Sequence, residues 1–176
     1  VDRPEEDVAR ASSMALLGSG LALAGYHEGA LTVFEAELSM ERRIGSSEHS
    51  VLIVQGNLAS TYQLLGRREQ ALAMYRDIYC KKLKLDGEEH TNTLSGAFNY
   101  AYSLLSLDRN QEARSLMRKT LPTALRVFGE SHELALKYRW TYAETLCLGD
   151  VTLDDFRKGV TTFEETERIA RRVLGG

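Results

Sequence analysis

The chain has 176 residues, 43% of them hydrophobic and 27% charged, a balance that excludes an intrinsically disordered polymer and suffices for a sizeable core. Its 22 basic and 25 acidic residues give a net charge of −3 with no basic block, which argues against nucleic acid or an anionic membrane as the main partner. Two cysteines, Cys80 and Cys147, are too few for a disulfide framework or a thiolate zinc site and point to a reducing, cytoplasmic compartment. Along the chain, Pro4 followed by Glu5, Glu6 and Asp7 is a helix start, because proline suits the first turn and acids complement the amino-terminal dipole. A helix is predicted over 4–24. Its weakly polar stretch from Met14 to Gly25, broken by Gly18, Ser19 and Gly20, is too short to span a bilayer. Further helices are predicted near 27–43, 50–65, 68–85, 91–107, 110–128, 132–148 and 153–173. Apolar residues at spacings of three, four and seven carry these assignments, such as Leu58, Ala59, Tyr62 and Leu65 and then Ala71, Tyr75, Ile78 and Leu85. Gly66 and Gly87 stop the two helices by supplying the left-handed position past a helix end. No segment alternates with strand period. Pro122 falls inside the sixth helix and should kink it, since it removes one hydrogen bond and crowds the preceding turn. Thr152 and Asp155 form a start signal resembling the capping box, so the eighth helix should begin early or follow a longer loop.

These helices recur. Glu48-His49 returns as Glu89-His90 and then as Ser131-His132, at intervals of 41 and 42 residues. Asn57-Leu58-Ala59 aligns with Asn99-Tyr100-Ala101, and Ala143 continues the alanine column. Gly25, Gly66 and Asp108 are each followed five residues on by Ala30, Ala71 and Ala113, and four later by Phe34, Tyr75 and Met117. Each period is a helix pair, and the small residues let its two helices approach closely. A single pair cannot cover its own apolar face, so neighbouring pairs must stack. The expected fold is all-α, a right-handed α-α superhelix of about four helix-turn-helix repeats and eight helices, with one concave surface. The repeats fall near 8–48, 49–89, 90–131 and 132–175, within one domain over residues 1–176. Val1 at the start and Leu174-Gly175-Gly176 at the end suggest a piece of a longer protein.

The motif of Gly66, Asn57-Leu58-Ala59, Tyr62, Ala71 and Tyr75, repeated as Gly87, Glu89-His90, Asn99-Tyr100-Ala101, Leu104, Asp108, Ala113 and Met117, resembles the tetratricopeptide repeat. More narrowly it is similar to the 42-residue version found in kinesin light chains and related adaptors. The resemblance spans roughly residues 8 to 175. Leu16 and Thr141 stand in the asparagine column of the first and fourth units. The resemblance implies that the first helix of each pair lines a groove, and that the asparagine before the buried Leu-Ala step holds the backbone of an extended peptide. That role carries to Asn57 and Asn99. Positions one before and three after this column face the same way and give Ser60, Phe98, Tyr102, Trp140 and Glu144. Lys137 lies one turn earlier on the seventh helix and would meet an acidic or carboxylate group.

Other chemistry is a poor fit. His49, His90 and His132 sit in successive repeats, and helices about 8–10 Å apart cannot bring them to one zinc ion with bonds near 2 Å. They read as turn residues, and His27 has no visible partner. Gly18-Ser19-Gly20 lacks the strand-to-helix setting of a dinucleotide loop and reads as close helix packing. Cys80 and Cys147 read as idle thiols. The adjacent carboxylates Glu5-Glu6, Glu88-Glu89, Asp154-Asp155 and Glu164-Glu165 point to different helix faces and read as solvated or helix-start charge. The expectation is therefore a non-enzymatic scaffold or adaptor with no cofactor and no metal, binding a protein or peptide segment in its groove. The alternative is an assembly module that self-associates through its terminal repeats.

Overall fold

The computed structural model describes residues 4–174, with side chains described from Asp7 to Val173. The Glu5-Glu6 pair and the closing Leu174-Gly175-Gly176 therefore lie outside the described side chains. Among the described residues the chain is eight α-helices and no strand: α1 (Pro4–Leu23), α2 (His27–Arg43), α3 (Glu48–Leu64), α4 (Arg68–Asp86), α5 (Thr91–Leu105), α6 (Asn110–Phe128), α7 (Glu133–Cys147) and α8 (Leu153–Leu174). None of them is long and apolar enough to cross a membrane.

The helix ends follow from local chemistry. Gly66 (φ 75°) ends the α3–α4 turn in the left-handed region, and Asp108 (φ 57°) takes the same place between α5 and α6. Aspartate is one of the few side-chain-bearing residues that tolerates this conformation. In the last turn Gly149 (φ 76°) fills that role, one residue before the Asp150 that the 42-residue spacing selects. The start of α3 lies two residues ahead of expectation because the Ser47 hydroxyl accepts from Ser50 N–H at 3.1 Å and caps it there. At α8 Thr152 and Asp155 close the predicted box: Thr152 Oγ1 accepts from Asp155 N–H at 3.1 Å and donates to Asp155 Oδ2 at 2.9 Å. This box starts α8 about one turn earlier, relative to Gly159, than α6 starts relative to Ala113. α6 runs through Pro122 as one helix, so the proline does not break it.

The chain divides into two compact units, one ending at Ile78 and one beginning at Tyr79. In the first, α2 packs on α1 and on α3, and the core gathers Ala30, Leu31, Phe34 and Leu58, with Leu21, Tyr62 and Leu65 partly buried around it. α1 and α2 approach closely at Gly18, since a Cβ there would lie 2.6 Å from the Phe34 ring. Gly18 stands 41 residues before Ala59, so the glycine cluster in α1 continues the small-residue column that packs the helix pairs. Glu37 sits on the same buried stripe of α2 at 3% exposure, and its Oε2 has no hydrogen-bond partner.

In the second unit α5, α6, α7 and α8 pack in consecutive order, and α5 also touches α7 directly. Its core is Leu94, Ala101, Met117, Ala124 and Tyr138. The Tyr138 hydroxyl donates to the Leu94 carbonyl at 2.6 Å, which satisfies a polar group that would otherwise be costly to bury. Burial raises its ionisation well above the usual phenol range. Gly159 is the counterpart of Gly18: a Cβ there would meet Cys147 Sγ at 2.6 Å and the Ala143 carbonyl at 3.0 Å. Arg114 is also buried, and its guanidinium closes the carboxyl end of α7 by donating to the Thr145 carbonyl at 2.6 and 2.9 Å and to the Leu148 carbonyl at 3.1 Å. The predicted stripe of α4 ends earlier than the spacing implies, because Ile78 is buried while Leu85 is exposed.

Candidate functional site

The first helices of the two pairs in the second unit are held by histidines. His90 Nδ1 accepts from Asn92 N–H and His132 Nδ1 accepts from Leu134 N–H, each at 3.1 Å, so each ring caps its helix as a serine or asparagine would. His49 falls inside α3 instead, since Ser47 is the cap there. Among the described residues no three of His, Cys, Asp and Glu gather in an arrangement that could hold a metal ion. Cys80 is exposed, whereas Cys147 is half-buried and burial raises its thiol.

α5 and α7 pack directly against each other, and a cleft of about 500 Å³ opens between them. It is lined by Phe98 and Tyr102 of α5 and by Lys137, Trp140, Thr141 and Glu144 of α7. Spacing explains the convergence. Phe98 and Tyr102 are four apart, while Lys137, Trp140 and Glu144 step by three and four, so each set occupies one helix face. The Phe98 and Tyr102 rings stack at 6.5 Å, and Phe98 leans on buried Tyr138 at 5.6 Å. Phe163 of α8 meets Trp140 edge-on at 4.6 Å. Tyr102 and Trp140 still leave 53% of their surface open. Lys137 Nζ lies 2.6 Å from Glu133 Oε1, one turn back on the same helix. That contact holds the Glu133 carboxyl below its usual range.

Five of the eight residues singled out in the sequence thus share one cleft. The other three do not line it. Asn99 is exposed on α5 beside Phe98. Asn57 and Ser60 belong to the first unit, where Ser60 hydrogen-bonds the Tyr75 hydroxyl. Two contributors were missed. Thr141 lies in the asparagine column but bears no amide, so the motif did not select it, and Phe163 comes from a second helix whose contact with Trp140 no local spacing encodes.

The tetratricopeptide repeat family model matches residues 51–91 and 99–133. Those two stretches, under half of the chain, are recognised as tetratricopeptide repeats. The match covers most of α3, all of α4 and α6 and residues 99–105 of α5, and of the residues lining the cleft it takes in Tyr102. No curated protein matches the chain by sequence. Among solved structures, a candidate kinesin light chain from Podosopora anserina with nearly identical TPR-like repeats is similar at 18% identity and a TM-score of 0.77, over 98% of this chain and 78% of that one. A glutamine-to-methionine variant of such a protein from the same organism shares 14% identity with a TM-score of 0.58, over the whole of both chains. BtubC (BKLC) from P. vanneervenii shares 15% identity with a TM-score of 0.64, over 100% of this chain and 94% of that one. The fold is therefore that of kinesin-light-chain-like tetratricopeptide repeat proteins.

Proposed function

We propose that the chain is a non-enzymatic interaction module that takes up a partner's peptide segment in the cleft between α5 and α7. Tetratricopeptide repeats generally serve as protein-protein interaction scaffolds, and an adaptor role in a reducing cytoplasm suits the exposed thiol of Cys80. The observation that carries this reading is the convergence of two half-open aromatic rings, Tyr102 and Trp140, on a concave site of about 500 Å³. Large, rigid aromatic rings supply contact area at little entropic cost, which is why such residues anchor interfaces. Asn57 and Asn99 would serve as backbone clamps outside the cleft, since an amide both donates and accepts. Calorimetric titration of the chain with a library of peptides carrying an apolar anchor tests the proposal. Binding that Tyr102→Ala weakens about tenfold or more supports the cleft. Binding that this variant leaves intact, while Asn57→Ala with Asn99→Ala abolishes it, moves the site to the asparagines.

A second reading is self-association through the terminal repeats. Its support is the apolar surface left open on α1, at Val8, Leu16, Leu17 and Leu23, and on α8, at Leu153, Phe156 and Val160. Mass that grows with concentration in light scattering, without any ligand, favours it over peptide capture.

A further inference from the structure

The cleft carries two ionisable side chains, Lys137 and Glu144, and they are not equivalent. Lys137 is committed to Glu133 at 2.6 Å, with the glutamate four residues toward the amino terminus, the favourable order for such a pair. Both side chains are exposed, so the pair offsets the lysine's charge at the cleft edge only in part. Glu144 forms no ion pair among the described residues, and the positions three and four away along the chain are Trp140, Thr141, Cys147 and, just past the helix, Leu148, none of them basic. Seven residues of helix, about 10 Å, separate it from Lys137. The cleft thus presents two open aromatic rings with one uncompensated carboxylate a single turn from Trp140. A ring face is electron-rich, and an aromatic pair with an adjacent carboxylate attracts a cation more than it attracts an anion.

Resting on the peptide-capture reading above, we propose that the cleft selects a basic segment: an arginine or lysine side chain laid against Trp140 and Tyr102 and ion-paired to Glu144, carried by a partner stretch that is otherwise apolar. Lys137 then acts as the screened neighbour of Glu133 rather than as the receptor for an acidic group. The polarity of the site is the reverse of what Lys137 suggests when it is read without Glu133.

Three synthetic peptides decide it. They share one apolar core and are flanked by arginine, by glutamine or by glutamate, and each is titrated against the full chain by fluorescence anisotropy. The arginine peptide is expected to bind about tenfold tighter than the glutamine peptide, with the glutamate peptide weakest. Added salt should narrow that gap, because an exposed ion pair is screened. Glu144→Gln should bring the arginine and glutamine peptides to within about twofold of each other. Lys137→Gln should widen the arginine advantage, since it removes the nearby cation and frees Glu133. A glutamate peptide that binds tightest, or an arginine advantage that survives Glu144→Gln, overturns the proposal. So does equal binding of all three in the unmodified chain, which leaves peptide capture standing. If none of the three binds, peptide capture and the basic preference fall together. The order of the three peptides on the unmodified chain needs no variant to fold.

Discussion

Single residues set how closely the helix pairs meet. At Gly18 and Gly159 the space a methyl group would need is taken by the Phe34 ring and by Cys147 Sγ. Gly18→Ala is therefore expected to lower stability by about 1–3 kcal/mol in urea denaturation, through displacement of Phe34. Gly20→Ala is the control, because nothing lies within 4 Å of that position. Gly18 was legible as a small residue 41 positions before Ala59, whereas Gly159 stands 46 after Ala113, displaced from the register by the longer last turn. Glu37 was not singled out, although its place three residues after Phe34 on the α2 stripe was visible in the sequence. Helical spacing marks which side faces inward and says nothing of what a carboxylate costs there. Burial, with the Glu41 carboxylate one turn on, pushes Glu37 up to about 7. Its folded value lies above its unfolded one, so the native state holds the extra proton. Stability should then fall as pH rises from about 4.5 to 7, at up to about 1.4 kcal/mol per pH unit. Glu37→Gln should flatten that slope and melt above the parent at pH 8. A parent whose melting temperature does not change between pH 5 and 8 would contradict this.

At the scale of the helix, the open question in the sequence was how each end is closed. His90 and His132 were legible as turn residues from their spacing, but not as caps, because a histidine seldom takes that role, and His49, read the same way, lies inside α3. The Nδ1 atoms of the first two, at 3.1 Å from backbone N–H groups, define the cap. The other end of α7 depends on Arg114, a contact between residues some thirty apart that no local pattern announces. Cations suit helix carboxyl ends, and this one is buried with three hydrogen bonds. Arg114→Met should cost about 2–3 kcal/mol in urea, because buried carbonyls lose charged donors. Arg126→Ala breaks the exposed pair with Glu89 and should leave the midpoint near the parent value. Equal losses in the two variants would show that burial is not what gives Arg114 its weight.

For the molecule as a whole, the helix register was legible because one period repeats along the chain and each repeat corrects the reading of the next. The groove was legible in part. Phe98, Tyr102, Lys137, Trp140 and Glu144 share a cleft because their spacing puts them on the facing sides of α5 and α7. Asn57 and Asn99 were drawn in by motif alone and stand outside that cleft. The partner of Lys137 was visible as an i, i+4 glutamate, yet only the 2.6 Å contact shows that the lysine is engaged. The central claim is that this cleft is where a partner chain sits, and Trp140 is the one tryptophan in the sequence, so its emission reports on the cleft alone. Acrylamide quenching of Trp140 with and without a saturating peptide is the direct measurement. Peptide binding should shield the indole and cut the quenching constant at least twofold. A peptide that binds by calorimetry while Trp140 stays as open to acrylamide as before would place the docking surface elsewhere.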